Sequence, residues 1–459
     1  MKKRHIFELA ALCTAVGILL AGCGNDAVPG GVTADSGKET ESAKIIAEAV
    51  AEYPAEPEFK NEDQRWEYSR EKRQKLTGEF TEAYGDFAAK TSAELLKNSS
   101  ENVIYSPLSL YYALALACNG AEGETQEEML ELLGYENLEA LAADCKNSFE
   151  ALYHAPNEKN NQPGEWGEYH SESRYSLLIA NSLWVDDTMT LKDPFKAQAA
   201  ENFYADVFRG DLQSETVAKE KSQWVNERTN GLITPAEEPA DSQAVLSIIN
   251  TVYFYDEWIN RFDKEKTEAD VFTLADGTEV SCDFMNMVEF SSGFRRGENY
   301  TASSLNLKNS QMTFVLPDEG VDVHELVNDP EQLEAAIGDG GESLFGKITW
   351  KVPKFSYGSD LELVEILSAL GMEDAFTGDA DFSGISDQEP LFISNIRQNA
   401  HLSIDEDGVE GAAYTEILYA GAALPKDEAE MILDRPFLYA VENNGQIVFV
   451  GICENPTQE

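Results

Sequence analysis

An acidic turn followed by a long run of small and apolar residues is the part of this sequence with the most chemical meaning. Residues 401–424 read HLSIDEDGVEGAAYTEILYAGAAL. In an extended chain, successive side chains point to opposite faces. One face would carry both acids, Glu410 and Glu416, whereas the other face, from Val409 to Ile417, would carry no charge. The pattern is typical of an ordinary half-buried strand or of a strand that inserts with one side toward a core.

The usual signatures of catalysis are missing from the sequence. It contains no GxSxG elbow, HExxH motif, GxGxxG loop or Walker loop, and its five histidines form no ligand cluster. The acidic turn is not an EF-hand, because Gly408 at the sixth loop position would place Tyr414 at the twelfth, where calcium needs a bidentate glutamate. We therefore expect no catalytic residues, no metal ion and no cofactor, and we favour a binding or trapping role.

Length and charge restrict the fold and the partners. The chain has 459 residues, 42% of them hydrophobic, which is enough for one large domain or for two or three small ones. Its formal net charge of −50 repels phosphate groups. DNA, RNA and heparin-like polyanions are therefore not expected as partners.

Residues 1–22 predict an export signal. A basic start at Lys2–Arg4 precedes an apolar stretch that contains Glu8 and ends in Leu-Ala-Gly-Cys at residues 20–23. This ending looks like a bacterial lipobox, in which the cysteine becomes the lipidated first residue after cleavage. A plain signal peptide or a membrane anchor is the alternative, although the stretch is short for a membrane span. We expect Cys23 to anchor the chain to the extracellular face of a bacterial cell membrane.

Residues 23–76 predict a flexible acidic tether. Gly, Asp, Ala, Pro and Glu dominate this segment, and such a composition buries little apolar surface. A short helix around residues 45–50 is the one element that the pattern allows. The simplest role for the segment is a spacer between the membrane and a folded domain.

Four cysteines follow the leader, with no CxxC motif and no paired spacing: Cys118, Cys145, Cys282 and Cys453. We expect isolated and mostly buried thiols. In an exported chain two of them could form a disulfide, but the sequence does not indicate which two.

Capping signals mark two helices in the first part of the domain. Ser106 followed by Pro107 predicts an N-cap with proline at the first helical position, and this helix should end at Cys118. Thr125 and Glu128 predict a capping box for the next helix.

Apolar stretches predict the strands. Residues 177–185 and 245–255 are sufficiently rich in apolar, β-branched and aromatic side chains for buried strands. Near the end of the chain, Asn444 and Gly445 separate two apolar runs and predict a two-residue hairpin. Together these patterns indicate an α+β fold with a large sheet.

Several blocks of sequence, in this order and spacing, resemble the serpins, a family of suicide protease inhibitors. The blocks are NVIYSPLS at 102–109, WVN at 224–226 with 229–233, NTVYF at 250–254 with Trp258 and Phe262, VPKF at 352–355 with 370–372 and 381–385, and DRPF at 434–437. The resemblance extends from about Thr77 to Pro456. It implies a serpin domain at 77–459, with three β-sheets, about eight or nine helices and an exposed reactive-centre loop at about 406–433.

The resemblance implies a mechanical form of inhibition. A serpin folds to a metastable state, and a target serine protease that cleaves its exposed loop becomes acylated. The loop then inserts into the main sheet as a new strand, which satisfies backbone hydrogen bonds and releases strain. The distorted protease loses its oxyanion hole and cannot complete deacylation. The expected partner is therefore a serine protease in covalent complex with a monomeric chain.

The hinge of the reactive loop carries over residue by residue. The matching positions are Glu406, Gly408, Glu410, Ala412 and Ala413. Val409 stands where the family has a hydroxyl residue, and Gly411 and Tyr414 replace alanines. Val409 and Gly411 lie on the uncharged face and are small enough to be buried, so these departures weaken the expectation of an inhibitor only slightly.

The scissile bond follows from the reach of the inserted strand. In inhibitory serpins it lies about fourteen residues after the hinge glycine, which lets a strand rising roughly 3.3 Å per residue span the sheet. Counting from Gly408 places the bond between Ala422 and Ala423, with a shift of one or two residues possible. Small residues around the bond favour a shallow apolar primary pocket and hence an elastase-like protease. The alternative is that the alanine stretch is simply a flexible loop.

Residues that control the sheet also carry over from the family. The implied shutter residues are Ser106, Ser109, Asn181 and Gln398. Gln398 stands where the family often has histidine, and its amide could bridge a serine and an asparagine. At the entry of the loop, called the breach, Trp258 should pack and Lys354 should pair with Glu406.

Three functions are compatible with these patterns. The first is a lipid-anchored inhibitor of extracellular serine proteases. The second is a non-inhibitory serpin used for binding or adhesion at the cell surface. The third is a surface hydrolase on a similar scaffold, for which the sequence offers no Ser/His pair.

Overall fold

A computed structural model describes residues 45–155, 175–240, 244–388, 391–409 and 427–458. The predicted signal, Cys23, the hinge residues Glu410, Gly411, Ala412 and Ala413, and the predicted bond between Ala422 and Ala423 lie outside these residues. The described chain is an α+β fold with nine α-helices and three sheets, as the resemblance implies.

The helices of the described part are α1 Glu62–Arg73, α2 Gly78–Leu96, α3 Pro107–Cys118, α4 Gly123–Leu133, α5 Leu138–Leu152, α6 Asp193–Asn202, α7 Glu215–Arg228, α8 Pro330–Ile337 and α9 Val364–Ala369. The strands are β1 Ile46–Ala49, β2 Val103–Tyr105, β3 Ser176–Asp186, β4 Ala205–Gly210, β5 Leu246–Glu257, β6 Glu268–Thr273, β7 Glu279–Arg296, β8 Tyr300–Asn306, β9 Ser310–Pro317, β10 Glu342–Pro353, β11 Phe355–Glu362, β12 Arg397–Ile404, β13 Gly408–Val409, β14 Asp427–Ile432, β15 Phe437–Asn443 and β16 Gln446–Cys453.

The strands form three sheets. The five-stranded sheet has the order β1-β4-β3-β5-β13, with β3 and β4 parallel and the other neighbours antiparallel. The nine-stranded sheet has the order β14-β10-β7-β8-β9-β15-β16-β2, with β6 beside β7. Strands β11 and β12 form a two-stranded antiparallel sheet.

The apolar stretches fold as the sequence predicts. The buried strands expected at 177–185 and 245–255 are β3 and β5. Strand β3 is buried on both faces, because Leu177 and Leu183 belong to the main core while Ala180 and Trp184 pack in a second cluster with α7. The hairpin is also confirmed: Asn444 and Gly445 adopt φ values of 51° and 76° between β15 and β16.

One of the two capping predictions is confirmed and the other is wrong. Ser106 caps α3, where its hydroxyl oxygen accepts a hydrogen bond from the Ser109 N–H at 3.3 Å. Helix α4 begins before Thr125, whose hydroxyl instead accepts a hydrogen bond from the Asp381 N–H at 2.8 Å. Glu128 accepts hydrogen bonds from two backbone N–H groups in the same neighbouring segment. Thr125 and Glu128 therefore bind the loop at 373–381, which is distant in sequence and packs across the first turns of α4.

The predicted tether is wrong for residues 45–76. Residues 46–49 form a strand, not a helix, and pair antiparallel with β4 at the edge of the five-stranded sheet. Tyr53 stacks on Tyr153 and Tyr204, with ring centroids 5.4 and 6.3 Å away, and α1 follows. Because the sheet edge and an aromatic cluster accept this segment, its low apolar content does not keep it unfolded.

Candidate functional site

The hinge of the predicted reactive loop lies at one edge of the five-stranded sheet. After β12 ends at Ile404, the chain turns and forms β13, whose Gly408 and Val409 pair antiparallel with Glu257 and Asp256 of β5. Strand β13 follows the end of β12 across a three-residue turn, in which the Asp405 N–H donates to the Gly408 carbonyl at 3.0 Å. The chain therefore leaves the described structure, after Val409, from a position next to both β5 and β12.

Gly408 is required by the close approach of two backbones. A Cβ atom at this position would lie 2.4 Å from the Asp256 carbonyl oxygen and 2.7 Å from the Glu257 Cα atom. Val409, the next residue, is only 2% exposed. The hinge thus needs glycine at one position and tolerates a small apolar side chain at the next.

Trp258 packs at the breach, as the sequence predicts. The side chain is 1% exposed, and its indole N–H donates to the Asp405 carbonyl oxygen at 2.9 Å. Its backbone N–H donates to the Asp407 carbonyl oxygen at 3.2 Å, while Phe262 packs edge-on against the indole ring. Trp258 therefore fixes the backbone of the acidic turn from two directions.

Lys354 and Glu406 form the ion pair expected from the sequence. Lys354 Nζ lies 2.9 Å from Glu406 Oε2, and the Thr267 hydroxyl donates to Glu406 Oε1 at 2.8 Å. Burial acts to raise the pKa of Glu406, but the hydrogen bonds from Lys354 and Thr267 and the lysine charge outweigh it. The pKa of the carboxyl therefore lies below its ordinary value. The role of this pair in loop insertion stays a prediction.

A second set of charges at the breach was not anticipated from the sequence. Asp407 contacts Arg261 at 3.2 Å and Lys264 at 2.5 Å. Arg261 also contacts the buried carboxylate of Glu257 at 3.2 Å, and Lys308 pairs with that carboxylate. The charged residues that follow β5 did not indicate these contacts, because charge runs are equally typical of solvated loops.

Asp256 is a buried carboxyl group directly beside the hinge. It is fully buried and accepts hydrogen bonds from the backbone N–H groups of Glu257 and Asn309, both at 2.9 Å. Burial raises the pKa of Asp256 to about 6, although these hydrogen bonds act in the opposite direction. The edge of β5 that pairs with the hinge therefore carries an acid whose charge changes in mildly acidic solution.

The four predicted shutter residues form two separate sets of contacts. Gln398 Oε1 accepts from the Ser106 N–H at 2.8 Å, and its Nε2 donates to the Ser106 carbonyl at 2.9 Å. Asn181 donates to the Phe203 carbonyl at 2.6 Å and accepts from Asn250 at 2.6 Å.

The amide bridge between serine and asparagine expected for Gln398 is not observed among the described residues. The side chain of Gln398 binds both backbone groups of Ser106, and Ser109 contacts Ser106 through its own backbone N–H. Instead, Asn181 holds β3 to β5, and Gln398 holds β12 to the start of α3.

The described part of the chain contains no disulfide, no candidate metal cluster and no candidate membrane-spanning helix. All four cysteines after the leader are free, and three of them are buried. Within the described ranges no three His, Cys, Asp or Glu side chains cluster closely enough to hold a metal ion. No helix in the same ranges is long and apolar enough to cross a membrane.

Comparison with known proteins identifies the family. The family described as Serpin (serine protease inhibitor) matches residues 82–456. Serpin A3-8 of Bos taurus is 30% identical over 81% of this chain and 88% of its own length. An uncharacterised serpin-like protein of Methanosarcina acetivorans is 31% identical over 80% of this chain and 84% of its own length.

Solved structures give the same result. The thermophilic serpin tengpin in its native state superposes with a TM-score of 0.71 at 25% identity, over 90% of this chain and 100% of that structure. Human thyroxine-binding globulin in complex with its hormone shares the fold, with a TM-score of 0.68 at 24% identity over 83% of this chain and 99% of that one. With the family match covering most of the chain, this protein belongs to the serpin family.

Proposed function

We propose that this serpin is a suicide inhibitor of extracellular serine proteases with elastase-like specificity. The observation that carries the proposal is the position of the hinge: Gly408 and Val409 already pair with β5, and Val409 is buried. A loop that continues from β13 needs only to extend an existing pairing to become a further strand between β5 and β12. Each added residue would satisfy backbone donors and acceptors that an edge strand leaves open.

The chemistry belongs to the protease. Its catalytic serine would attack the carbonyl carbon of Ala422, form an ester to that residue and release the amine of Ala423. The ester then tethers the protease to the inserting strand. Small side chains on both sides of the bond fit a shallow apolar pocket, whereas a trypsin-like enzyme requires Lys or Arg there.

Incubation with an elastase-type serine protease tests this proposal. We expect a complex of the protease with the chain cut after Ala422 that survives boiling in detergent. Cleavage of the loop without such a complex would instead support the non-inhibitory alternative of surface binding or adhesion. Sequencing the released C-terminal fragment would show the bond, with Ala423 as its expected first residue.

A single substitution tests the placement of the bond. Ala422→Arg should redirect inhibition toward trypsin-like proteases, because the new side chain offers them the cation they bind. Ala420→Arg is the matched control, since it adds the same charge two residues away. An unchanged preference in Ala422→Arg would move the scissile bond to another residue.

We also propose that the protein acts as a monomer held at the outer face of a bacterial membrane through lipidated Cys23. Because strand β1 begins at Ile46, the proposed spacer is restricted to residues 24–44, a length of chain that can reach at most about 75 Å. The test is membrane fractionation of the Cys23→Ser variant. We expect this variant to be released from membranes, and its retention would argue against the lipid anchor.

A further inference from the structure

Three large apolar side chains are exposed together on one face of the nine-stranded sheet. Val288 and Phe290 of β7 are 43% and 63% exposed, and Phe345 of β10 is 56% exposed. Single exposed apolar residues are common on soluble proteins, whereas a contiguous group of them marks an interaction surface. We call these three residues the apolar patch.

The strand register places the patch on a single surface. Val288 lies opposite Thr349 and Phe345 lies opposite Gly293 in the antiparallel pairing of β7 and β10. The register shifts between these points, so Phe290 lies in the irregular segment facing the short stretch after Phe345. On β10, Ile348 and Trp350 are fully buried, so the alternating residues Phe345 and Thr349 face away from the core.

The patch lies at the end of the sheet where the reactive loop returns. Strand β14 begins at Asp427, which pairs with Gly346, the residue directly after Phe345. From Ala423 to Asp427 the chain can span at most about 14 Å. A serine protease domain has a radius on the order of 20 Å. A protease that holds Ala423 in its active site must therefore place part of its body close to the patch.

The charged residues beside the apolar patch indicate which kind of partner surface would fit it. Strand β14 runs beside β10 and presents Glu428 and Glu430, both exposed, next to Lys347 and Thr349. The apolar patch is thus bordered by acids on the side of the loop. A complementary partner carries an apolar area with basic side chains at its rim.

We propose that the apolar patch is a docking surface for the body of the target protease, on the side of its active-site cleft that receives residues after the scissile bond. This inference rests on the proposed inhibitory function and adds to it a determinant outside the loop. The patch should speed the capture of the protease without taking part in loop insertion. It should therefore affect the association rate and leave the number of inhibitor molecules consumed per protease unchanged.

The test compares association rates with an elastase-type protease. The double variant Phe290→Ser with Phe345→Ser should bind the protease roughly tenfold more slowly, the effect expected for removing exposed aromatic anchors from an interface. The stoichiometry of inhibition and the yield of covalent complex should stay the same. Because both side chains are exposed, the variant should fold and melt like the parent protein.

Phe392→Ser provides the matched control. Phe392 is 46% exposed and precedes β12, whose eight residues separate it by about 25 Å from the hinge at the other end of that strand. The inference is overturned if the patch variant and this control associate equally fast. It is also overturned if the patch variant changes only the oligomeric state, which would make the patch a contact between two copies of the chain.

The same comparison separates the inference from the proposed function. If the parent protein were cleaved without forming a complex, inhibition would be excluded. The effect of the patch would then be measured as kcat/KM for cleavage of the loop. A roughly tenfold lower value for the patch variant than for Phe392→Ser would still support docking, and equal values would overturn it.

Discussion

The two edges of the five-stranded sheet are held by different kinds of contact. At the β1 edge, an entire short strand pairs with β4, and Tyr53 packs among the rings of Phe149, Tyr153 and Tyr204. At the β5 edge, the described part of the chain pairs through the two residues of β13, and the turn that leads into them is held by ion pairs. One edge is closed by an entire strand and a cluster of tyrosine and phenylalanine rings, and the other by a two-residue strand, the indole of Trp258 and a few ion pairs.

This difference indicates which edge is suited to open. Pulling the β1 segment away would expose aromatic surface, which is costly in proportion to its area. Releasing the acidic turn breaks the pairs of Asp407 with Lys264 and of Glu406 with Lys354, whose lysines are 63% and 36% exposed, so that water can replace them at little net cost. The pair of Asp407 with Arg261 is buried, so its release is the costlier step. The sheet is therefore expected to accept a new strand at β5 while its opposite edge stays fixed.

The largest predicted effect comes from a charge at the hinge. Val409→Arg should abolish nearly all covalent complex and convert the protein into a substrate, because a buried unpaired charge costs several kcal/mol. The matched control is Val409→Thr, which has a similar size and should retain inhibition. The measurement is the stoichiometry of inhibition with an elastase-type protease. Full trapping by Val409→Arg would show that this position, which is already buried beside β5, does not have to stay buried in the inserted strand.

A smaller effect is expected at the fixed edge. Tyr53→Ala should lower the free energy of unfolding by about 3 kcal/mol, because it leaves a cavity among three aromatic rings and removes the ring under Arg228. The guanidinium unfolding midpoint measures this loss. Val50→Ala, at a residue 67% exposed on the same segment, should leave the midpoint unchanged. Equal midpoints for both variants would contradict a fixed edge.

Asp256 should make the β5 edge sensitive to pH. Its pKa of about 6 in the folded protein exceeds the ordinary value. Between pH 4 and 6 the folded chain therefore keeps a proton on this carboxyl group that the unfolded chain releases. Stability from this group is therefore greatest in acid and falls as the pH rises, by about 2 kcal/mol across that window.

Asp256→Asn should remove this decline, whereas Glu365→Gln, at an exposed residue of α9, should not. The measurement is the unfolding midpoint at pH 4, 5, 6 and 7 for the parent and both variants. A decline that persists in Asp256→Asn would assign the pH sensitivity to another group.

The smallest effect is expected for the ion pair at the turn. The pKa of Glu406 is lowered in the folded protein, so the stability from its pairing with Lys354 is present above the ordinary glutamate range and is lost as the pH falls through the folded pKa. The lysine side chain is 36% exposed, which limits the contribution to about 1 kcal/mol. Lys354→Met should lose this amount at pH 7 and show a weaker decline below pH 4. An unchanged midpoint would indicate that the turn is held by Asp407 and its partners instead.

The two edges also differ in how far the sequence could predict them. The pairing of Glu406 with Lys354 and the packing of Trp258 were predictable because these residues stand in blocks of sequence that match the family. The β1 strand was not, because its residues Ile-Ala-Glu-Ala suit a helix at least as well as a strand and Ala47 pairs with Phe208, which is remote in the sequence. The pairing of Asp407 with Arg261 was missed for the same reason, since long-range contacts between charged residues leave no periodic pattern.

The shutter shows the limit of carrying residues over from a family. Ser106, Asn181 and Gln398 are all buried in the structure, and Gln398 has a forked amide where the family often has histidine. That amide reaches both backbone groups of Ser106 and leaves Asn181 to Asn250. The sequence could therefore indicate which residues belong to this region, whereas the hydrogen-bond partner of each side chain depended on its length.

The central claim is that the loop gains free energy by entering the sheet at β5 once it has been cut. The most direct test is to cleave the loop near Ala422 with a protease that is then removed, and to compare the Tm of the cut protein with that of the intact one. The account predicts a clearly higher Tm after cleavage. An unchanged Tm would contradict it, because an intact chain with no stored energy cannot trap a protease.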